Sequence, residues 1–149
     1  MTGIVSKWVV LREHAVGAED VDADNNLLDE VLARWVDDVC AAYLERCRVL
    51  SEMRNRDGLV LRSRVGPLPP GERLGRPSAV AVSAGAREVR PSSFTIAVRL
   101  RAAGGATDVA VNVACIVSLE DPATGEAREL GDDIRDELIA LEHAAEHYN

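Results

Sequence analysis

Leu27-Leu28-Asp29-Glu30-Val31-Leu32-Ala33-Arg34-Trp35-Val36-Asp37-Asp38-Val39-Cys40-Ala41-Ala42-Tyr43-Leu44-Glu45-Arg46-Cys47 carries the strongest periodic signal in this chain. Its large apolar residues recur as i, i+1, i+4, i+5, a broad stripe on a helix of about 24 residues. Asp29, Glu30, Arg34, Asp37, Asp38, Glu45 and Arg46 fall on the other side. Asn25 or Asn26 can cap the start, and Asp29 and Glu30 suit the positive end of the helix dipole. The stretch 51–58 is expected to close it. A stripe this wide needs a large covering surface, and the flanking sequence offers strands.

Residues 4–16 read as a first strand, rich in valine and containing Trp8. Residues 59–65 alternate briefly. Residues 66–77 hold Pro67, Pro69, Pro70 and Pro77, which neither a helix nor a central strand tolerates, so they form a loop. Residues 80–90 read as a strand stopped by Pro91. Phe94, Ile96, Val98 and Leu100 alternate with Thr95, Ala97, Arg99 and Arg101, a half-buried strand. Gly104-Gly105 marks a hairpin turn, and residues 108–119 alternate again. Residues 121–126 read as a turn. Gly131 then starts a closing helix with Ile134, Leu138, Leu141 and Ala145 on one face. The order is strand, long helix, then four strands as a meander. That is α+β, with a curved antiparallel sheet wrapped around one long helix.

The 149 residues are 47% hydrophobic, enough for one domain, residues 1–149, with a real core. Aromatics are 3%, so valine, leucine, isoleucine and alanine must fill it. No apolar run approaches the ~20 residues of a membrane span, and the four-residue run Trp8 to Leu11 is too short for a secretory core. A cytoplasmic protein is expected. The net charge of −8 argues against nucleic acid as the main partner. Its distribution is uneven: residues 54–101 hold ten arginines and three acids, which suits a compact anion such as a phosphate group, or a solvated strand face. Cys40 and Cys47 lie about 10 Å apart on one helix, too far to bridge, and with Cys115 read as buried free thiols. No Cys-x-x-Cys pair suggests zinc. Asp20, Asp22 and Asp24 imitate the start of a calcium loop, but Asn25 stands at its glycine position and Val31 at its glutamate position. His143 and His147 are i, i+4 on the last helix without the order of a zinc protease, and read as surface residues. His14 lies near the first turn, as a strand histidine or a site-lining one. No metal or cofactor is expected.

Glu19-Asp20-Val21-Asp22, followed by the helix with Arg34-Trp35, resembles the hot-dog acyl-CoA thioesterases of the 4-hydroxybenzoyl-CoA thioesterase type. Aligned without a gap, Asp22 falls on that family's aspartate and Arg34-Trp35 on its helix motif. Val89-Arg90-Pro91-Ser92-Ser93-Phe94 looks like its strand entry, and residues 131–140 like its closing segment. Asn25 and Asn26 stand where the family usually has Gly and His or Gly. Leu28-Asp29 replaces a common Asn pair, and Leu32 a usual Tyr. The resemblance implies a hot-dog fold and hydrolysis of an acyl-CoA or acyl-carrier thioester. It implies Asp22 as nucleophile or general base, with backbone N–H groups near residues 26–29 as the oxyanion site and Asn25, Asn26 and Asp29 positioning the substrate. Arg87, Arg90 and Arg99 are candidates for the CoA phosphates. It also implies a homodimer or homotetramer with sites between subunits. The competing expectation is a hot-dog module that binds an acyl thioester or a partner protein without hydrolysis, and a dehydratase or isomerase relative ranks below it.

Overall fold

The inner faces of the long strands are almost wholly apolar, and this decides how the sheet folds. The computed structural model describes residues 6–103, 109–144 and 146–148. The elements in chain order are β1 (Ser6–Trp8), β2 (Val10–Ala15), α1 (Asp29–Glu45), α2 (Arg48–Asp57), β3 (Val60–Val65), β4 (Ala79–Val89), β5 (Phe94–Ala103), β6 (Ala110–Glu120), α3 (Gly131–Ala144) and β7 (Glu146–Tyr148). Five strands form one antiparallel sheet in the order β2-β4-β5-β6-β3. Phe94, Ile96, Val98 and Leu100 of β5 and Cys115, Val117 and Leu119 of β6 are fully buried. They share one core with Leu32, Val36, Val39 and Tyr43 of α1. The sheet covers the broad helical stripe, as the α+β hot-dog arrangement requires, and burial of each large aliphatic side chain is worth about 1.5–3 kcal/mol.

Several local expectations are corrected. The first strand is two strands: β1 pairs with β7, while β2 joins the main sheet beside β4. His147 therefore lies on β7, and only His143 on the last helix. The long helix is broken at Arg46 and Cys47, where Cys47 takes ψ 77°, and residues 48–57 form a second helix. The break has a tertiary cause. Both carboxylate oxygens of Glu137 on α3 accept from the Val49 N–H at 3.0 Å, capping the new helix start from outside the local sequence. Leu50, one residue on, is buried. The four later strands are not a simple meander. β4, β5 and β6 are, but β3 crosses to pair with β6 and forms the sheet edge. Neither Asn25 nor Asn26 caps α1; its N-cap is Leu28, with no side-chain hydrogen bond. The Gly104-Gly105 turn lies outside the described residues.

Candidate active site

The turn between β2 and α1 is short, acidic and closed on itself. Val21 and Leu27 form an isolated antiparallel bridge. Between them the Asp22 N–H donates to the Asn26 carbonyl at 2.8 Å, and the Asn25 N–H to the Asp22 carbonyl at 3.0 Å. Asn25 takes φ 65°, left-handed backbone that asparagine tolerates better than most residues. The Asp22 Oδ1 accepts from the N–H groups of Asp24 at 2.9 Å and Asn26 at 3.0 Å. Its Oδ2 has no hydrogen-bond partner among the described residues. Asp22 is exposed. It stands at the wall of an open groove of about 530 Å³, with Leu27, Leu28, Asp29, Pro70 and Gly71 among the lining residues.

The helix start next to Asp22 supplies the donors. Of the N–H groups from 26 to 29, three are taken: Asn26 by Asp22, Leu27 by the Gly75 carbonyl at 2.9 Å, and Leu28 by the Asp20 carbonyl at 2.9 Å. The N–H of Asp29, and that of Glu30 after it, have no acceptor among the described residues. They point along the positive end of α1, a ready position for a developing oxyanion. The neighbouring carboxylate, Asp20, is buried and accepts from the Gly17 N–H at 2.9 Å. It is a structural anchor for the turn.

The arginine candidates are placed elsewhere. Arg87 lies near the far end of β4, roughly 26 Å along the strand from the Ala79 end that adjoins the turn, and Arg90 lies just beyond that far end. Arg87 is the extra residue of a β-bulge between Ala86 and Glu88. The bulge aims it at the Trp8 ring, 4.6 Å from the centroid, and at Glu142, 3.6 Å away. Arg90 is exposed and pairs with Glu88 at 2.9 Å, and with Arg135 it lines a pocket of about 190 Å³ at the start of α3. Arg99 alternates with buried Val98 and Leu100, so it sits on the sheet face away from α1. None of the three adjoins Asp22 in the same chain. His14 does not line the groove either: its ring stacks on Trp35 at 4.6 Å and 9°. Pro70, Gly71 and Glu72, which frame the groove, were legible in the sequence only as a proline-rich loop.

No protein-family model matches the chain, and no curated protein matches it by sequence. Solved structures match throughout its length. A thioesterase of Thermus thermophilus, complexed with coenzyme A and Zn, is 21% identical, with a TM-score of 0.63 over 92% of this chain and 97% of that one. The 4-hydroxybenzoyl-CoA thioesterase of Pseudomonas sp. strain CBS-3 is 16% identical, with a TM-score of 0.60 over 86% of this chain and 97% of that one. A 1,4-dihydroxy-2-naphthoyl-CoA thioesterase from Synechocystis is 12% identical, with a TM-score of 0.62 over 89% of this chain and 97% of that one. Five antiparallel strands curled on one helix, in the same arrangement as these proteins, give the chain a hot-dog fold.

Proposed function

We propose that this protein hydrolyses an acyl thioester of CoA, or of a carrier protein, with Asp22 as the reacting carboxylate. One observation carries the reading: Asp22 is held by two backbone N–H groups through Oδ1, leaving Oδ2 unengaged at the wall of a groove that Asp29, whose N–H has no acceptor among the described residues, also lines. A thioester carbonyl laid in the groove would put its oxygen on the helix N-terminus and its carbon against Asp22. In the direct route Oδ2 adds to the carbonyl carbon, the C–S bond breaks, and the thiolate leaves and takes a proton from water. Water then opens the acyl anhydride, releasing the acid and restoring the carboxylate. In the alternative route Asp22 takes the proton of a water that attacks the same carbon, the C–S bond breaks, and Asp22 returns the proton to the leaving thiolate. Both routes develop charge on one oxygen, which the Asp29 N–H and the helix dipole stabilise. The Thermus neighbour's complex with coenzyme A supports the ligand class.

The working unit is a homodimer. Asp22 is exposed in one chain, and Arg87 and Arg90 lie at the opposite end of the sheet. A CoA whose thioester meets Asp22 of one copy would lay its phosphates on Arg90 of the other, with Arg135 beside it. β3 supplies an unpaired edge for joining the two sheets.

Free-thiol release from short, long and aromatic acyl-CoAs tests the reading, with thermal melting followed in parallel. Turnover of at least one member is expected. Stabilisation by acyl-CoA without thiol release from any member would replace the hydrolase by a binding module. That outcome would fit the Asn25-Asn26 turn, in which Asn25 Oδ1 accepts from Arg76 at 2.8 Å and Asn25 is not among the residues lining the groove.

A further inference from the structure

The acidic turn does not hold itself alone. Segment 70–76 grips it at three points. The Gly71 N–H donates to Asp29 Oδ1 at 2.7 Å. The Gly75 carbonyl accepts from the Leu27 N–H at 2.9 Å. The Arg76 guanidinium donates to Asn25 Oδ1 at 2.8 Å. The grip is tight: a Cβ on Gly71 would overlap the Leu27 carbonyl oxygen and lie 2.7 Å from its carbon, so only glycine fits. The segment is itself stiff. Pro70 starts it, the Leu74 N–H donates back to the Gly71 carbonyl at 3.1 Å, and Leu74 is buried as its anchor in the core.

We infer that segment 70–76 is a brace that sets the spacing between Asp22 and the free N–H of Asp29, with Asp29 and Gly71 as its positioning residues. The brace rests on the hydrolase reading for its catalytic consequence and on the three contacts for its existence. Asp29 has two separate parts to play: its N–H at the start of α1 has no acceptor among the described residues, while its carboxylate accepts from the Gly71 N–H of the brace. Holding that carboxylate on Gly71 also fixes where its charge lies relative to the oxyanion position. Since the brace acts on geometry made use of in the transition state, its loss lowers kcat and leaves KM nearly unchanged.

Asp29→Ala, Asp29→Asn and Arg76→Ala test it, each followed by steady-state hydrolysis and by amide hydrogen exchange. Asn keeps the Oδ1 acceptor, so Asp29→Asn is expected to lose clearly less in kcat than Asp29→Ala. Asp29→Ala is expected to lose about 10- to 100-fold in kcat at similar KM, the scale for a displacement of about 1 Å. Exchange at residues 26–28 and 71–75 is expected to speed up in Asp29→Ala and not in Asp29→Asn. Arg76→Ala, at an exposed position, gives the same pattern more weakly if Asp29→Ala fails to fold. Wild-type kcat in Asp29→Ala, or equal loss in Asp29→Asn, would overturn the positioning role. Absence of turnover in wild type would overturn the hydrolase reading instead, and the exchange pattern alone would then decide whether the brace exists.

Discussion

His14 shows how one side chain can be committed to packing at a cost that depends on pH. Its ring lies flat on Trp35, and its Nε2 is buried with no hydrogen-bond partner among the described residues. Burial holds its pKa below the ordinary 6.5, with Arg12 and Arg34 adding to that and Asp38 and Asp20 opposing. Below about 6.5 the unfolded chain takes up a proton that the folded protein resists, so this group costs stability as pH falls and none at higher pH. His14→Phe keeps the flat stack and removes the unpaired nitrogen. Melting temperatures at about pH 7.5 and pH 5.5 are expected to show the variant's advantage over wild type growing as pH falls. A constant difference would assign the pH response to other groups. At this scale the sequence was informative for Asn25, whose left-handed backbone is one its residue type favours, while the role of Asp22 rests on its spacing to Arg34-Trp35 and is a proposal. The sequence was silent on Asp20 and Gly71. Their roles depend on Gly17 and Leu27 respectively, contacts with no local signature.

The elements were legible where one face is apolar and the other polar. β4, β5 and β6 fall within two residues of the stretches expected, because period-two alternation against a buried face leaves little choice. The break between α1 and α2 was not legible, since no glycine or proline marks it. The acceptor for the Val49 and Leu50 N–H groups is Glu137, which arrives from α3 at 3.0 and 3.4 Å. Glu137→Ala should therefore cost about 0.5–2 kcal/mol, as loss of a helix cap does, measured by urea denaturation. Glu137→Gln should recover part of it. If both variants matched wild type, the break would have to be explained by packing of Leu50 alone. Strand order was equally hidden: the alternation of β3 says which face is buried and not which neighbour it takes. Tyr43 shows the same dependence on distant partners. Its hydroxyl donates to Glu142 at 3.1 Å, a carboxylate that also receives the Ala86 N–H, and burial and that carboxylate push the phenol's pKa up.

For the whole molecule, the edges of the sheet and the exposed site make one account. β3 is an edge strand with mostly exposed side chains, Val65 among them, and Ile116 beside it on β6 is 48% exposed. Arg62 and Arg64 on β3 are drawn to Glu120 of β6 at 3.6 and 3.7 Å, and the apolar Val65 and Ile116 leave the edge a pairing surface. Wild-type protein is expected to sediment as a dimer or a tetramer. Val65→Lys is expected to shift it toward monomer and to lower turnover with it, since each site would take its arginines from the partner. A wild-type monomer with full activity would contradict the shared site. The central claim, that Asp22 is the reacting group, is tested most directly by thiol release from the best acyl-CoA with wild type and Asp22→Asn side by side. Asn keeps the Oδ1 that accepts from Asp24 and Asn26, so the turn survives and only the reactive oxygen is exchanged. The account predicts a loss of about 10²–10⁴-fold in kcat with acyl-CoA still raising the melting temperature. An Asp22→Asn protein with wild-type kcat would contradict it.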